Sequence, residues 1–254
     1  MKSTIIIPAR YASTRLPQKL LLCETGKPLI QHTYESALKA TLPVAVTVAC
    51  DHEAIFNAVR RFGGSVQMTD PNAPSGTDRI AEVAAALDDV EIVVNVQGDE
   101  PEIAGTAIDR AIQILIDHPD AVMSTLATPI RNREQLEDTA CVKVVFDANG
   151  RALYFSRSVL PHPRGGIQEE HFMQSPPLFY QHIGLYAYRR EFLLRLSRLP
   201  QSDTEKTESL EQLRVLHHGY TIMVSVIDEP TVGIDTPEDY RKFVERYSGG
   251  QTGA

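Results

Sequence analysis

The chain has 254 residues, 43% of them apolar and 23% charged, an ordinary globular composition with material for a substantial core and one domain as the natural expectation. Its 25 Lys and Arg against 33 Asp and Glu leave a net charge of -8, which argues against nucleic acid or anionic membrane as a partner and leaves any anionic ligand to a local cluster of cations. Cys23, Cys50 and Cys141 lack metal-site spacing, and the isoleucines after Lys2 are too few for a signal peptide or a membrane span, so a reduced, cytoplasmic protein is expected.

In chain order, short β-branched runs alternate with segments of helical period, the pattern of βαβ units and a mainly parallel sheet. Strands are expected at Thr4–Pro8, Val44–Cys50, Ser65–Met68, Glu91–Gln97 and Ala121–Ala127, with helices between them at about Pro28–Ala40, His52–Phe62, Thr77–Leu87 and Ile103–Asp117. Pro28 suits a first helical position, and Asp51 suits a cap. From residue 141 the pattern changes. Two strand-like runs flank Asp147-Ala148-Asn149-Gly150, a turn sequence that predicts an antiparallel hairpin. Leu160–Gln181, with several prolines and Gly165-Gly166, has no clear period and reads as a lid or an interface excursion. A strand at Ile183–Tyr188, a helix at about Glu205–His217, a strand at Ile222–Ile227 and a helix from Pro237 to about Tyr247 follow. The expected fold is therefore α/β: a Rossmann-like mixed, mainly parallel sheet flanked by helices, in one domain over 1–247. The hairpin and excursion occupy about 141–182, and residues 248–254 form a disordered tail.

Two places carry chemistry. The first strand ends at Pro8, and ligands of open α/β sheets sit at the carboxyl ends of strands, so Arg10, Arg15 and Lys19 can converge there on a polyanion such as a triphosphate. A merely solvated basic loop is the alternative. No G-x-G-x-x-G and no Walker pattern accompanies them. The fourth strand runs into Gly98, Asp99 and Glu100, where a carboxylate is well placed to ligate Mg2+, although a turn aspartate is the plainer reading. In "VGIDTPEDY", Thr236 and Asp239 resemble a capping box around Pro237, which leaves Asp235 spare as a second carboxylate. Two carboxylates, a basic loop and a strand-end crevice describe metal-assisted nucleotidyl transfer.

The chain resembles the 3-deoxy-manno-octulosonate (Kdo) cytidylyltransferases of lipopolysaccharide synthesis. The resemblance rests on "IPARYASTRLP", "PSGTDRIAEV", "VNVQGDEP", "ALYFSRSVLP", "HIGLYAYR", "ESLEQLRVL" and "VGIDTPEDY", in that order from residue 4 to about 244. It implies the reaction of CTP with Kdo to give CMP-Kdo and pyrophosphate, with Mg2+ held by the carboxylates matching Asp99 and Asp235. It further implies a homodimer, with the contact sought in the hairpin or the proline-bearing excursion. By the same resemblance Arg10, Arg15 and Lys19 hold the triphosphate, and the Ser75–Arg79 loop, with Ser75, Gly76 and Arg79, helps to seat the cytidine. Gln97 belongs to the substrate set, and Arg157, His182, Tyr186, Glu211 and Gln212 are expected to meet the sugar acid. Without the resemblance Arg157 reads as a solvated strand-end arginine, His182 as a structural histidine, and Glu211 and Gln212 as a solvated helix face.

Where the family loop commonly reads R-L-P-G-K-P-L, this chain has Gln18 for the glycine and Leu20 for the second proline. A positive φ at Gln18 is expected to cost about 1–2 kcal/mol. Ala73 replaces a histidine often found before "PSGTDR", and His162 an aromatic often found after the "SRSVLP" strand. A cytidylyltransferase for another acid sugar, 8-amino-Kdo or a sialic acid, and a non-catalytic nucleotide-binding sensor of the same fold are the competing readings.

Overall fold

A computed structural model describes residues 1–228 and 233–251. Its strands are β1 (Ser3–Ala9), β2 (Pro43–Cys50), β3 (Val66–Met68), β4 (Ile92–Asn95), β5 (Met123–Pro129), β6 (Lys143–Phe146), β7 (Ala152–Ser156), β8 (Tyr180–Arg189) and β9 (Ile222–Val226). Its helices are α1 (Leu29–Ala37), α2 (Glu53–Arg61), α3 (Gly76–Ala85), α4 (Gly105–Asp117), α5 (Arg133–Glu137), α6 (Arg190–Leu196), α7 (Asp203–Glu208), α8 (Gln212–His217) and α9 (Pro237–Gln251). Short 3-10 turns lie at Lys19–Leu21 and Glu169–Phe172.

The chain forms two compact units, Met1–Asp109 with Thr231–Ala254, and Arg110–Pro230. In the first, β3, β2, β1 and β4 are hydrogen-bonded in that order and all parallel. Every residue of β1 and β4 is buried, as expected of a parallel strand covered on both faces, where a continuous apolar run replaces alternation. In the second, β5 runs antiparallel to β8 and parallel to β9, and the β6–β7 hairpin joins β8 through Lys143 and Gln181. The mixed, mainly parallel α/β class is the one the sequence predicts.

Several local readings change. Pro28 is the cap of α1 rather than its first residue, with extended ψ of 147°. His52, not Asp51, caps α2: its Nδ1 accepts from the Ala54 amide at 3.1 Å, which releases Asp51 for other partners. The helix expected over 205–217 is broken into α7 and α8 at Ser209, which adopts φ 52°. The break has a cause. Glu205 completes a capping box with Ser202 and is also paired with buried Arg214 at 2.5 and 2.9 Å, which folds α8 back onto α7. Helix α6 and short α5 go beyond the elements that the sequence predicts, and α9 continues through 248–251 where a disordered tail is expected; 252–254 lie outside the described residues. The 160–181 excursion is anchored by a small apolar cluster of its own, in which Phe172 and Phe179 pack with Ile130, Leu136 and Cys141.

Candidate active site

The parallel register of β1 with β2 and β4 brings three strand ends to one edge. The turn after β4 approaches β1 closely: a Cβ on Gly98 would stand 2.9 Å from the Pro8 carbonyl oxygen and 3.4 Å from Leu20, so only glycine fits without a backbone shift. The loop that leaves Pro8 is turned back by Gln18 at φ 53°, ψ 30°, and the Leu21 amide then donates to the Gln18 carbonyl at 2.9 Å. The left-handed conformation that a glycine takes without strain is here adopted by a glutamine. The turn buries Leu20 and points Lys19 at the strand ends.

Lys19 is the centre of the site. Its ammonium donates to Asp99, to Asp235 Oδ1 at 3.0 Å and to the Ile234 carbonyl at 3.0 Å. Burial alone would lower its pKa, but the two carboxylates outweigh burial and hold it above the usual lysine value. Arg15 also pairs with Asp235 Oδ1, at 2.9 Å, and Arg10 reaches the Ala73 carbonyl at 3.3 Å. Thr236 and Asp239 cap α9 as the sequence suggests: Asp239 accepts from the Asp235 and Thr236 amides and from the Thr236 hydroxyl, so Asp235 is free to face the basic loop. The Ile234 amide donates to the Asp99 carbonyl at 2.9 Å, which fixes the two carboxylates side by side. Arg10, Arg15, Lys19, Gly76, Gln97, Asp99 and Asp235 line one cleft of about 470 Å3. Three cations face two carboxylates, so the cleft is net positive inside a net negative protein. The neighbouring Glu100 is buried, and burial reinforced by the like charges of Asp99 and Asp235 pushes its pKa up to about 8.

The two carboxylates meet at one cation, so they fit a divalent ion that would complete its oxygen shell from substrate phosphates and water. Among the described residues no group of three His, Cys, Asp or Glu side chains is arranged to hold a metal.

The "SGTDR" segment divides. Ser75 caps α3, accepting from the Asp78 amide at 3.0 Å, and Gly76 opens the helix against Pro8 at the cleft. Arg79 is fully buried and does not line the cleft. It donates to Asp51 at 3.3 Å, to the Asp70 carbonyl at 3.2 Å and to Thr69, while the other Asp51 oxygen accepts from the Tyr11 amide at 2.8 Å. The Tyr11 ring stacks on His52 at 3.9 Å. Asp51 therefore ties the start of the basic loop to a buried arginine. Its sequence context suggests a cap, although the signal that marks Asp99, an acid at the carboxyl end of a parallel strand, is also present there.

The sugar-side residues lie in the second unit. Arg157 at the end of β7 donates from Nε to the Glu208 carbonyl at 2.7 Å and from Nη1 to the Thr139 carbonyl at 3.0 Å, and Glu208 accepts from the Arg157 amide and the Ser156 hydroxyl. His182 is buried beside Thr125, its Nε2 2.9 Å from the hydroxyl, and burial pushes its pKa down to about 3. Its ring lies 5.0 Å from Phe155 and 5.3 Å from Tyr186. Gln212 is buried rather than solvated, its Nε2 without a partner among the described residues, and half-buried Glu211 neighbours Arg214 at 3.8 Å. Glu208 and the buried Lys143 are members of this group that sequence reasoning misses.

Residues 4–222 match the cytidylyltransferase family model. The 3-deoxy-manno-octulosonate cytidylyltransferase of Rhodopirellula baltica is 49% identical over 246 residues, covering 97% of this chain and 98% of its own. That of Geobacter metallireducens is 48% identical over 251 residues, 98% of both chains. A solved CMP:2-keto-3-deoxy-manno-octonic acid synthetase complexed with CTP is similar with a TM-score of 0.90 at 39% identity, across 98% of this chain and 100% of that one. A cytidylyltransferase structure from Leptospira borgpetersenii shares the fold, with a TM-score of 0.64 at 17% identity over 98% of this chain and 87% of that one.

Proposed function

The chain belongs to the cytidylyltransferase family, and from that premise we propose how its residues carry the transfer of CMP from CTP to an acid sugar. It is an enzyme of the Kdo-activating kind: CTP and Kdo give CMP-Kdo and pyrophosphate for lipopolysaccharide synthesis. The observation that carries the mechanism is the single ammonium of Lys19 held between Asp99 and Asp235 at the strand ends.

The anomeric hydroxyl of Kdo attacks the α-phosphorus of CTP in line, and pyrophosphate leaves. Negative charge accumulates on the leaving group, and Lys19 and Arg15, both held at the cleft by Asp235, are placed to neutralise it. Arg10 positions the nucleotide beside the loop of Ser75 and Gly76, with Gln97 at the cleft wall. Arg157 takes the sugar carboxylate in a planar fork, and neutral His182, Tyr186, Glu211 and Gln212 bind its hydroxyls. Asp99 and Asp235 would hold Mg2+, whose bound charge polarises the α-phosphate and lowers the pKa of the attacking hydroxyl. Arg79 serves from beneath, by holding Asp51 and the start of the basic loop. Catalysis on this account is chiefly positioning and electrostatics.

A homodimer is part of the proposal. Leu153 on the hairpin is 61% exposed and Met173 in the excursion 82%, apolar surface suited to burial against a second copy. Sedimentation equilibrium of the purified chain tests it. No helix among the described residues is long and apolar enough to cross a membrane. Cys23, Cys50 and Cys141 are free thiols, as a reducing compartment allows, and we propose that the reaction takes place in the cytoplasm.

Pyrophosphate release from CTP and Mg2+, measured separately with Kdo, 8-amino-Kdo and a sialic acid, tests the whole reading. Release with Kdo is expected. Release only with another acceptor moves the substrate and keeps the mechanism, whereas CTP binding without release from any acceptor makes the chain a sensor.

A further inference from the structure

Lys143 is a buried charge that the reaction above does not use. Its side chain on β6 is wholly enclosed, and its backbone pairs with Ser156, the residue before Arg157. The ammonium donates to the Asp138 carbonyl at 2.9 Å and to the Cys141 carbonyl at 2.6 Å. The carbonyl of Thr139, between them, accepts from Arg157 Nη1 at 3.0 Å. One short turn is thus gripped by two cations from two strands. Among the described residues Lys143 forms no ion pair, and burial pushes its pKa below the usual lysine range. An ammonium enclosed with two carbonyl partners and no ion pair is costly to keep even with the more distant Asp138 and Glu208 charges favouring it, and a methionine of similar length would fill the space without that cost. Packing therefore does not explain the charge; the turn that it holds does.

We propose that Lys143 is a positioning residue for acid-sugar recognition: by fixing the 138–141 turn, it sets the plane in which Arg157 offers its guanidinium to the sugar carboxylate. This rests on the reading of Arg157 as the carboxylate ligand. The geometry leaves Arg157 little other freedom, since its Nε is held by the Glu208 carbonyl at 2.7 Å and its amide by the Glu208 carboxylate at 2.9 Å. The Thr139 carbonyl is the remaining support of the guanidinium, and Lys143 holds the residues on either side of it. A bidentate fork tolerates little rotation, so loss of that support acts on sugar binding and not on the nucleotide.

The test is steady-state kinetics of Lys143→Met, Arg157→Met and the double variant, with the KM for Kdo and for CTP measured separately, beside thermal unfolding. Lys143→Met is expected to raise the KM for Kdo roughly 10- to 100-fold, the scale of a small misplacement of a binding group, while the KM for CTP and the unfolding temperature hold. In the Arg157→Met background it should add less than about twofold, because it acts through that arginine. A normal KM for Kdo in Lys143→Met beside an impaired Arg157→Met overturns the proposal alone. A normal KM in Arg157→Met overturns the acid-sugar reading and the proposal with it. Equal rises in both KM values with a lowered unfolding temperature make Lys143 structural only. Should Lys143→Met fail to fold, Lys143→Leu, which likewise removes the donor to the Asp138 and Cys141 carbonyls, carries the same comparison and the same outcomes.

Discussion

Lys19 and Asp235 are 216 positions apart in the chain, and the lysine ammonium stands 3.0 Å from the carboxylate oxygen. Asp99 takes the same ammonium from the other side. The contact makes one site from the first loop, the fourth strand and the start of the last helix.

Lys19→Met should therefore reduce kcat by about 100- to 1000-fold, the usual cost of removing one donor aimed at developing charge. The pH dependence has a definite sign. The folded-state pKa of Lys19 is raised above the ordinary 10.5, so the stability it contributes is complete below 10.5 and is lost only as pH rises through the higher folded value. Urea titrations between pH 7 and 9 should show no loss attributable to this group. A drop in that interval that disappears in Lys19→Met would contradict the assignment.

Gln18→Gly should stabilise the protein. Relief of the left-handed conformation is worth about 1–2 kcal/mol, offset in part by the greater freedom of glycine in the unfolded chain. A net gain of about 0.5–1 kcal/mol, or roughly 2 °C in the unfolding temperature, is expected from calorimetry. No gain would mean that the glutamine side chain recovers the strain through contacts of its own.

His182 should make the fold acid-sensitive. Burial holds it neutral to about pH 3, whereas in the unfolded chain it takes up a proton below its ordinary 6.5. Unfolding then binds a proton between those values, so stability falls with falling pH by up to about 1.4 kcal/mol per unit. His182→Gln, which can keep the bond to Thr125, should flatten that part of the curve. Identical slopes between pH 7 and 5 in the two proteins would show that the histidine is not held neutral.

Asp51→Ala should unfold more readily by about 3–5 kcal/mol, because it leaves the enclosed Arg79 charge without its carboxylate. It also frees the Tyr11 amide, so the KM for CTP should rise in whatever fraction stays folded. Unchanged denaturation midpoints would return Arg79 to the role of a ligand.

Much of this site is legible in the amino-acid sequence, because its signals are local. Asp235 stands out since Thr236 and Asp239 satisfy the helix end without it, and the Asp147–Gly150 turn announces its hairpin through the residue types that such a turn demands. The parts that stay hidden depend on partners distant in sequence. Nothing near Arg79 says that it will be enclosed against Asp51, and nothing in "CVKVV" distinguishes an enclosed lysine from an exposed one. The break at Ser209 is hidden for the same reason: the apolar period continues through it, and only the Glu205–Arg214 pair, formed across the bend, ends the first helix.

On the proposed mechanism Asp99 and Asp235 form a metal-assisted centre around the basic loop. Turnover at saturating CTP and Kdo should be followed against Mg2+ concentration in the unaltered protein and in Asp99→Asn. Activity should be abolished by chelation and restored by Mg2+ in the first, with at least a ~100-fold loss and a requirement for more Mg2+ in the second, at an unchanged unfolding temperature. Metal-independent turnover, or an Asp99→Asn protein with the original rate and Mg2+ dependence, would contradict it.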